Sequence, residues 1–143
     1  MSPADRRRPG GRGPRRRSAQ APSQRARRTD PARQAAYDVL RAVAEEDAYA
    51  NLVLPQVLRR RRVTGRDAAF ATELAYGALR GRGLYDAVLA RCVDRPLDRL
   101  DPPVLDVLRL GAHQLLAMRV PTHAAVSESV ALARSAVGAG AGG

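Results

Sequence analysis

The stretch Asp101–Arg119, DPPVLDVLRLGAHQLLAMR, decides the fold. On a helix, its Val104, Leu105, Val107, Leu108, Leu110, Ala112, Leu115, Leu116 and Met118 spread around the whole circumference, which predicts a buried central helix. The only polar strip is narrow: Asp106, Arg109 and His113 stand at i, i+3 and i+7, while Gly111 offers a place for another helix to cross closely. Asp101 fits an N-cap, and Pro102 and Pro103 fill first-turn positions where a missing N–H costs nothing.

Other helices are expected to pack around this one. Upstream, Thr29-Asp30-Pro31 signals a helix start, and PARQAAYDVLRAVAEE places Ala32, Ala36, Val39, Leu40 and Val43 on one face up to about Glu46. A second helix is expected from about Asn51, a possible cap, to Arg60. Pro55 sits one turn inside it and allows a start as late as Leu54. Thr64 and Asp67 have capping-box spacing. Ala71, Leu74, Ala75, Ala78 and Leu79 then predict a helix over Arg66–Arg80, closed by Gly81 as a C′ glycine.

A fourth helix, from Gly83 to about Val93, is expected to bury Leu84, Val88 and Cys92, with Leu89 beside them. Asp94-Arg95-Pro96 stops it. After the central helix, Val120-Pro121-Thr122 turns the chain into a last helix with Val126, Val130, Ala133 and Val137 as its stripe. No segment alternates with period two, so the expected class is an all-α bundle of about six helices over residues 29–137.

The charge is unevenly shared. Of the formal +11, residues 1–28 carry +9, with ten arginines against Asp5, and no lysine occurs in the chain. Arg, Pro, Gly and Ser dominate this stretch, which predicts a disordered basic arm. The last six residues, GAGAGG at 138–143, suit a flexible tail or linker. A lone cysteine, Cys92, excludes an internal disulfide and a multi-cysteine metal site, and it reads as a small core residue in a reducing compartment. His113 and His123 match no short metal-ligand spacing. No apolar run follows the arginine doublets or approaches membrane-spanning length, so a cytoplasmic protein without membrane attachment is expected.

Arginine binds phosphate with a planar fork and stacks on bases, so the arm is a candidate electrostatic clamp for RNA, with Arg15, Arg16, Arg17, Arg25, Arg27 and Arg28 as candidates. The run Arg59–Arg62 closes the second helix, where dipole complementarity explains it as well as RNA contact does. Arg109, on an otherwise apolar helix, needs a partner. Asp106 or Glu128 is the expected one, forming a structural ion pair. Tyr76 and Tyr85 read as core residues with wet hydroxyls rather than base platforms. Ser127 and Ser129 near His123 lack an acid to complete a triad.

Four blocks in order, ARQAAYDVL, AYANLVLPQVL, RDAAFATELAYGALRGRGLYDAVL and DPPVLDVLRLGAHQLLAMRVPTHAAVSESVALAR, resemble the NusB superfamily from about Pro31 to Val137. Within it they resemble the NusB-like RNA-binding domain at the N-terminus of the RsmB (Fmu, Sun) small-subunit rRNA cytosine-C5 methyltransferases. The features carrying this are Asn51, Arg66-Asp67, Tyr76-Gly77 with Leu79-Arg80, Leu108–Gly111, Val120-Pro121, His123–Val126 and Glu128.

The resemblance implies RNA binding through the arginine-rich N-terminal region and the start of the first helix, here Arg25, Arg27, Arg28 and Arg33, extended by Arg80 and Arg82. Small-subunit rRNA is the implied partner. It also implies a further bundle helix after the glycine linker, which is expected to be missing from this chain. No catalytic residue and no cofactor is expected here, because the glycine-rich loop for S-adenosylmethionine and the catalytic cysteine contexts of the family are absent. S-adenosylmethionine enters only with a catalytic domain that would follow. A stand-alone antitermination factor binding boxA-like RNA with a ribosomal protein shares the fold. A helical protein-interaction module, self-associating through an incomplete bundle, is the reading of a different class.

Overall fold

The computed structural model describes residues 29–137. Six α-helices follow one another: α1 Pro31–Glu46, α2 Ala50–Arg60, α3 Gly65–Arg80, α4 Arg82–Cys92, α5 Pro102–Leu116 and α6 Thr122–Val137. A 3₁₀ turn at Leu97–Arg99 lies between α4 and α5. The described residues contain no strand, and no helix among them is long and apolar enough to cross a membrane. The expected arm (1–28) and tail (138–143) lie outside the described residues.

α1 starts as its sequence dictates: the Asp30 carboxylate accepts the Arg33 backbone N–H at 3.1 Å, with Pro31 in the first turn. Its buried face, Ala32, Ala35, Ala36, Val39 and Leu40, is mostly small. It packs against the equally small Ala71, Ala75 and Ala78 of α3, both helices contributing to one core with Leu74, Val107, Leu110 and Leu132. α5 packs against α1, α3, α4 and α6 and is the central helix. A Cβ at Gly111 would meet the Ser129 hydroxyl at 3.1 Å, so this is where α6 crosses it.

Several local expectations are corrected. α2 begins at Ala50, with Tyr49 rather than Asn51 at its cap, and runs through Pro55. Pro55 and Asn51 are both exposed, so the carbonyl that loses its bond to the proline is on the solvent side of the helix. Neither Thr64 nor Asp67 makes a side-chain cap bond. Gly81 has φ −89° rather than a left-handed conformation, since the chain passes from α3 directly into α4. Its missing Cβ is needed for another reason: it would stand 2.6 Å from the Tyr85 ring.

α5 is not buried all round, because Leu115 and Leu116 are exposed at its last turn, Leu116 by 57%. On α4 the buried residues are Tyr85 and Leu89, while Leu84 (64%), Val88 and Cys92 face out. On α6, Ala125, Ala131, Leu132 and Ala133 are buried and Val126 is exposed. Apart from Leu84, these outward apolar residues share a cause: between α4, α5 and α6 lies an open apolar groove of about 350 Å³, lined by Val88, Cys92, Leu115, Leu116, Val126 and Val130 among others.

Candidate functional site

The polar strip of α5 is fully interior. Asp106, Arg109, His113 and Gln114 are all buried, and each is bonded to a neighbouring helix: Asp106 and Gln114 to α1, Arg109 to α4, and His113 to α3 and α4. Asp106 accepts from Arg41 of α1 at 2.7 Å and from Arg109 at 3.0 Å. Arg41 also reaches Glu45, so a carboxylate chain runs along α1 into the core.

Arg109 donates Nε and Nη2 to the two carboxylate oxygens of Asp86 on α4, at 2.7 and 2.9 Å. This fork corrects the expectation of Glu128, which makes no ion pair among the described residues; α4 rather than α6 presents the acid to the guanidinium. Burial alone would depress Arg109, but its bonds to Asp86 and Asp106 outweigh it, and the guanidinium stands above the ordinary arginine value. The pair is a fixed ionic pin between α4 and α5.

His113 is held from two sides. The Tyr85 hydroxyl lies 2.5 Å from Nδ1, and Glu73 Oε1 lies 3.2 Å from Nε2. The tautomer with its proton on Nε2 satisfies both, accepting from tyrosine and donating to glutamate. The Tyr85 hydroxyl is thus bonded inside rather than wet, and burial raises its pKa. A Cβ at Gly77 would fall 2.0 Å from Nε2, so only glycine at that point of α3 leaves room for the imidazole.

Gln114 completes the strip. Its Oε1 accepts from Arg33 Nε at 2.7 Å, and its Nε2 donates to the Leu110 carbonyl. Arg33 also pairs with Asp30 at 3.1 Å and lies over the Phe70 ring at 4.8 Å, leaving its side chain only 13% exposed. An arginine expected to meet RNA is therefore committed to joining α1, α3 and α5.

Arg80 and Arg82 are exposed, with loose approaches of 3.8 Å to Glu73 and 4.0 Å to Asp86. They do not extend the surface at the start of α1. Arg33 meets Phe70, and Arg80 lies ten residues further along α3, roughly 15 Å of helix axis away. Arg15, Arg16, Arg17, Arg25, Arg27 and Arg28 lie outside the described residues. Among the described residues no three His, Cys, Asp or Glu side chains gather as metal ligands.

Six helices, one of them central, with an interior polar strip, define a class of all-α bundle. Its architecture is shared with the crystal structure of the antitermination factors NusB and NusE in complex with dsRNA (TM-score 0.70, 22% identity, covering 78% of this chain and 85% of that one). The NusB family profile matches residues 30–143, and the chain belongs to the NusB family.

Relatives carry this family region within longer proteins. "Putative methyltransferase Rv1407" of Mycobacterium tuberculosis is 55% identical over 85% of this chain. The probable ribosomal RNA small subunit methyltransferase B of Synechocystis is 32% identical over 73% of it. In both cases the chain spans only 24% of the relative's length.

Proposed function

We propose that this chain is the RNA-binding module of a small-subunit rRNA cytosine-C5 methyltransferase, and that it positions rRNA for a catalytic domain lying outside these residues. The supporting observation is the 32% identity to a small subunit methyltransferase B across 73% of the chain. The ten arginines of residues 1–28 supply the electrostatic attraction to phosphate. Methyl transfer from S-adenosylmethionine belongs to the catalytic domain, and no step of it is assigned to this chain. The module works in the cytoplasm.

The test is a binding titration of the whole chain against a structured small-subunit rRNA fragment and a boxA-like single strand, at two salt concentrations. A preference for the structured fragment at both salts is the expected result. A preference for the single strand moves the assignment to an antitermination factor acting with a ribosomal protein. Equal affinity for the two RNAs gives the lead to a protein-interaction module, with the apolar groove seating a partner helix or a second copy.

A further inference from the structure

The two ends of the bundle differ in charge. Arg33 in the first turn of α1 meets Phe70 of α3 and Gln114 near the end of α5, while Arg60 and Arg61 at the end of α2 reach Asp38 of α1. The starts of α1 and α3 and the end of α5 therefore share one end of the molecule, and the end of α2, joined to the start of α3 by residues 61–64, lies beside the first half of α1.

At that end Arg59 lies in the last turn of α2, Arg62 in the turn that follows, Arg66 in the first turn of α3, and Arg119 just past α5. All of these are exposed, and none has an ion-pair partner among the described residues. Of the acids nearby, Asp30 is bonded to Arg33 and Asp38 to Arg60 and Arg61, which leaves Asp67 as the uncommitted one. The opposite end is mixed in sign, with the exposed run Glu45, Glu46 and Asp47 where α1 finishes and Arg80 and Arg82 where α3 finishes. Residues 1–28 join the bundle at Thr29, which is the basic end.

We propose that Arg59, Arg62, Arg66 and Arg119 form a phosphate-binding face on the folded bundle, at the end where Thr29 enters it. This rests on the RNA-binding reading above and adds to it the face that meets the RNA. Guanidinium groups that are exposed and unpaired lose little on binding phosphate and release the counterions of the nucleic acid. Arg33 is excluded from this face by its buried bonds, and Arg80 and Arg82 by their distance from it.

The experiment uses the full chain, a structured small-subunit rRNA fragment, and salt concentrations from 50 to 200 mM. Arg62→Gln/Arg66→Gln is compared with Arg91→Gln/Arg134→Gln, which removes the same charge from exposed arginines elsewhere, on α4 and on the far half of α6. The first pair is expected to weaken low-salt binding about 10-fold and to flatten the slope of log K against log salt by roughly 2, the control less than 2-fold.

Arg59→Gln/Arg119→Gln asks the same of the other half of the face and is expected to match the first pair, with circular dichroism confirming the helical bundle in each variant. Equal losses in test and control pairs would show that only net charge matters and would overturn the face, as would undiminished binding in both test pairs. In either of those outcomes the wild-type chain still binds, so the RNA-binding reading survives. A wild-type chain that binds no RNA sinks both.

Discussion

The imidazole of His113 occupies the space that a side chain at Gly77 would need: a Cβ there would lie 2.0 Å from Nε2. The ring cannot retreat, because Tyr85 holds Nδ1 and Glu73 holds Nε2. Gly77→Ala is therefore expected to destabilise the bundle by about 1–3 kcal/mol, the usual cost of overpacking, despite alanine's better helix propensity. The double variant Gly77→Ala/His113→Ala is expected to be more stable than the sum of its single variants predicts, measured by urea unfolding. Strict additivity would place the clash elsewhere.

Arg109 and Asp86 form a two-pronged long-range ion pair in the interior strip, the carboxylate being 28% exposed and the guanidinium 9%. Removing the cation by Arg109→Met leaves Asp86 without its principal partner. A loss of about 3 kcal/mol is expected, in the range for breaking a buried pair. Asp86→Asn is expected to cost less, because Asp106 still holds the arginine. Glu128→Gln, which touches no charged partner among the described residues, is expected to stay within about 0.5 kcal/mol of wild type. A large effect at Glu128 with none at Asp86 would contradict the geometry.

The helix order was legible because starts and stops are written locally, as in Asp30-Pro31 before α1 and Asp101-Pro102-Pro103 before α5. The outward face of α4 was not. Leu84, Val88 and Cys92 make one apolar stripe at i, i+4 and i+8, and Tyr85 and Leu89 make its neighbour at the same spacing. Periodicity cannot choose between adjacent stripes. The choice falls to Tyr85 and Asp86, whose bonds to His113 and Arg109 span 28 and 23 residues.

The candidate site was legible as a charge excess in the arm, and Arg59–Arg62 stood out as a run. Which arginines are free depends on where Asp30, Asp38 and Gln114 fall in space. Arg33 carries the same side chain as Arg62, and only tertiary placement separates their roles.

Tyr85 gives the bundle an alkaline limit. Burial raises its pKa above the usual tyrosine value, with Arg80 opposing and Glu73 adding to the shift. The folded state therefore keeps a proton that the unfolded chain releases near about pH 10. The corresponding stability is fully present below that pH and is lost as pH rises toward the folded-state value. Tyr37, also raised by burial, adds to the same limb. Unfolding free energy is expected to fall as pH rises above about 10, and to fall less steeply in Tyr85→Phe. Identical slopes in the two proteins would mean that Tyr85 ionises as freely in the bundle as in the unfolded chain.

Arg33 tests the division between structural and RNA-binding arginines most directly. Its bond to buried Gln114, its pair with Asp30 and its position over Phe70 tie three helices together. Arg33→Ala is expected to lower stability by about 1–3 kcal/mol, since the Gln114 carbonyl loses its donor in a buried place and the aromatic face loses its cation. RNA affinity, measured where the variant remains folded, is expected to change less than about 2-fold, because a committed guanidinium releases no counterion from the RNA. Arg33→Lys should rescue little, as an ammonium cannot reproduce the planar fork that serves Gln114 and Asp30 together. An Arg33→Ala chain of unchanged stability but much weakened RNA binding would return Arg33 to the RNA surface and would require the contact with Gln114 to open when RNA arrives.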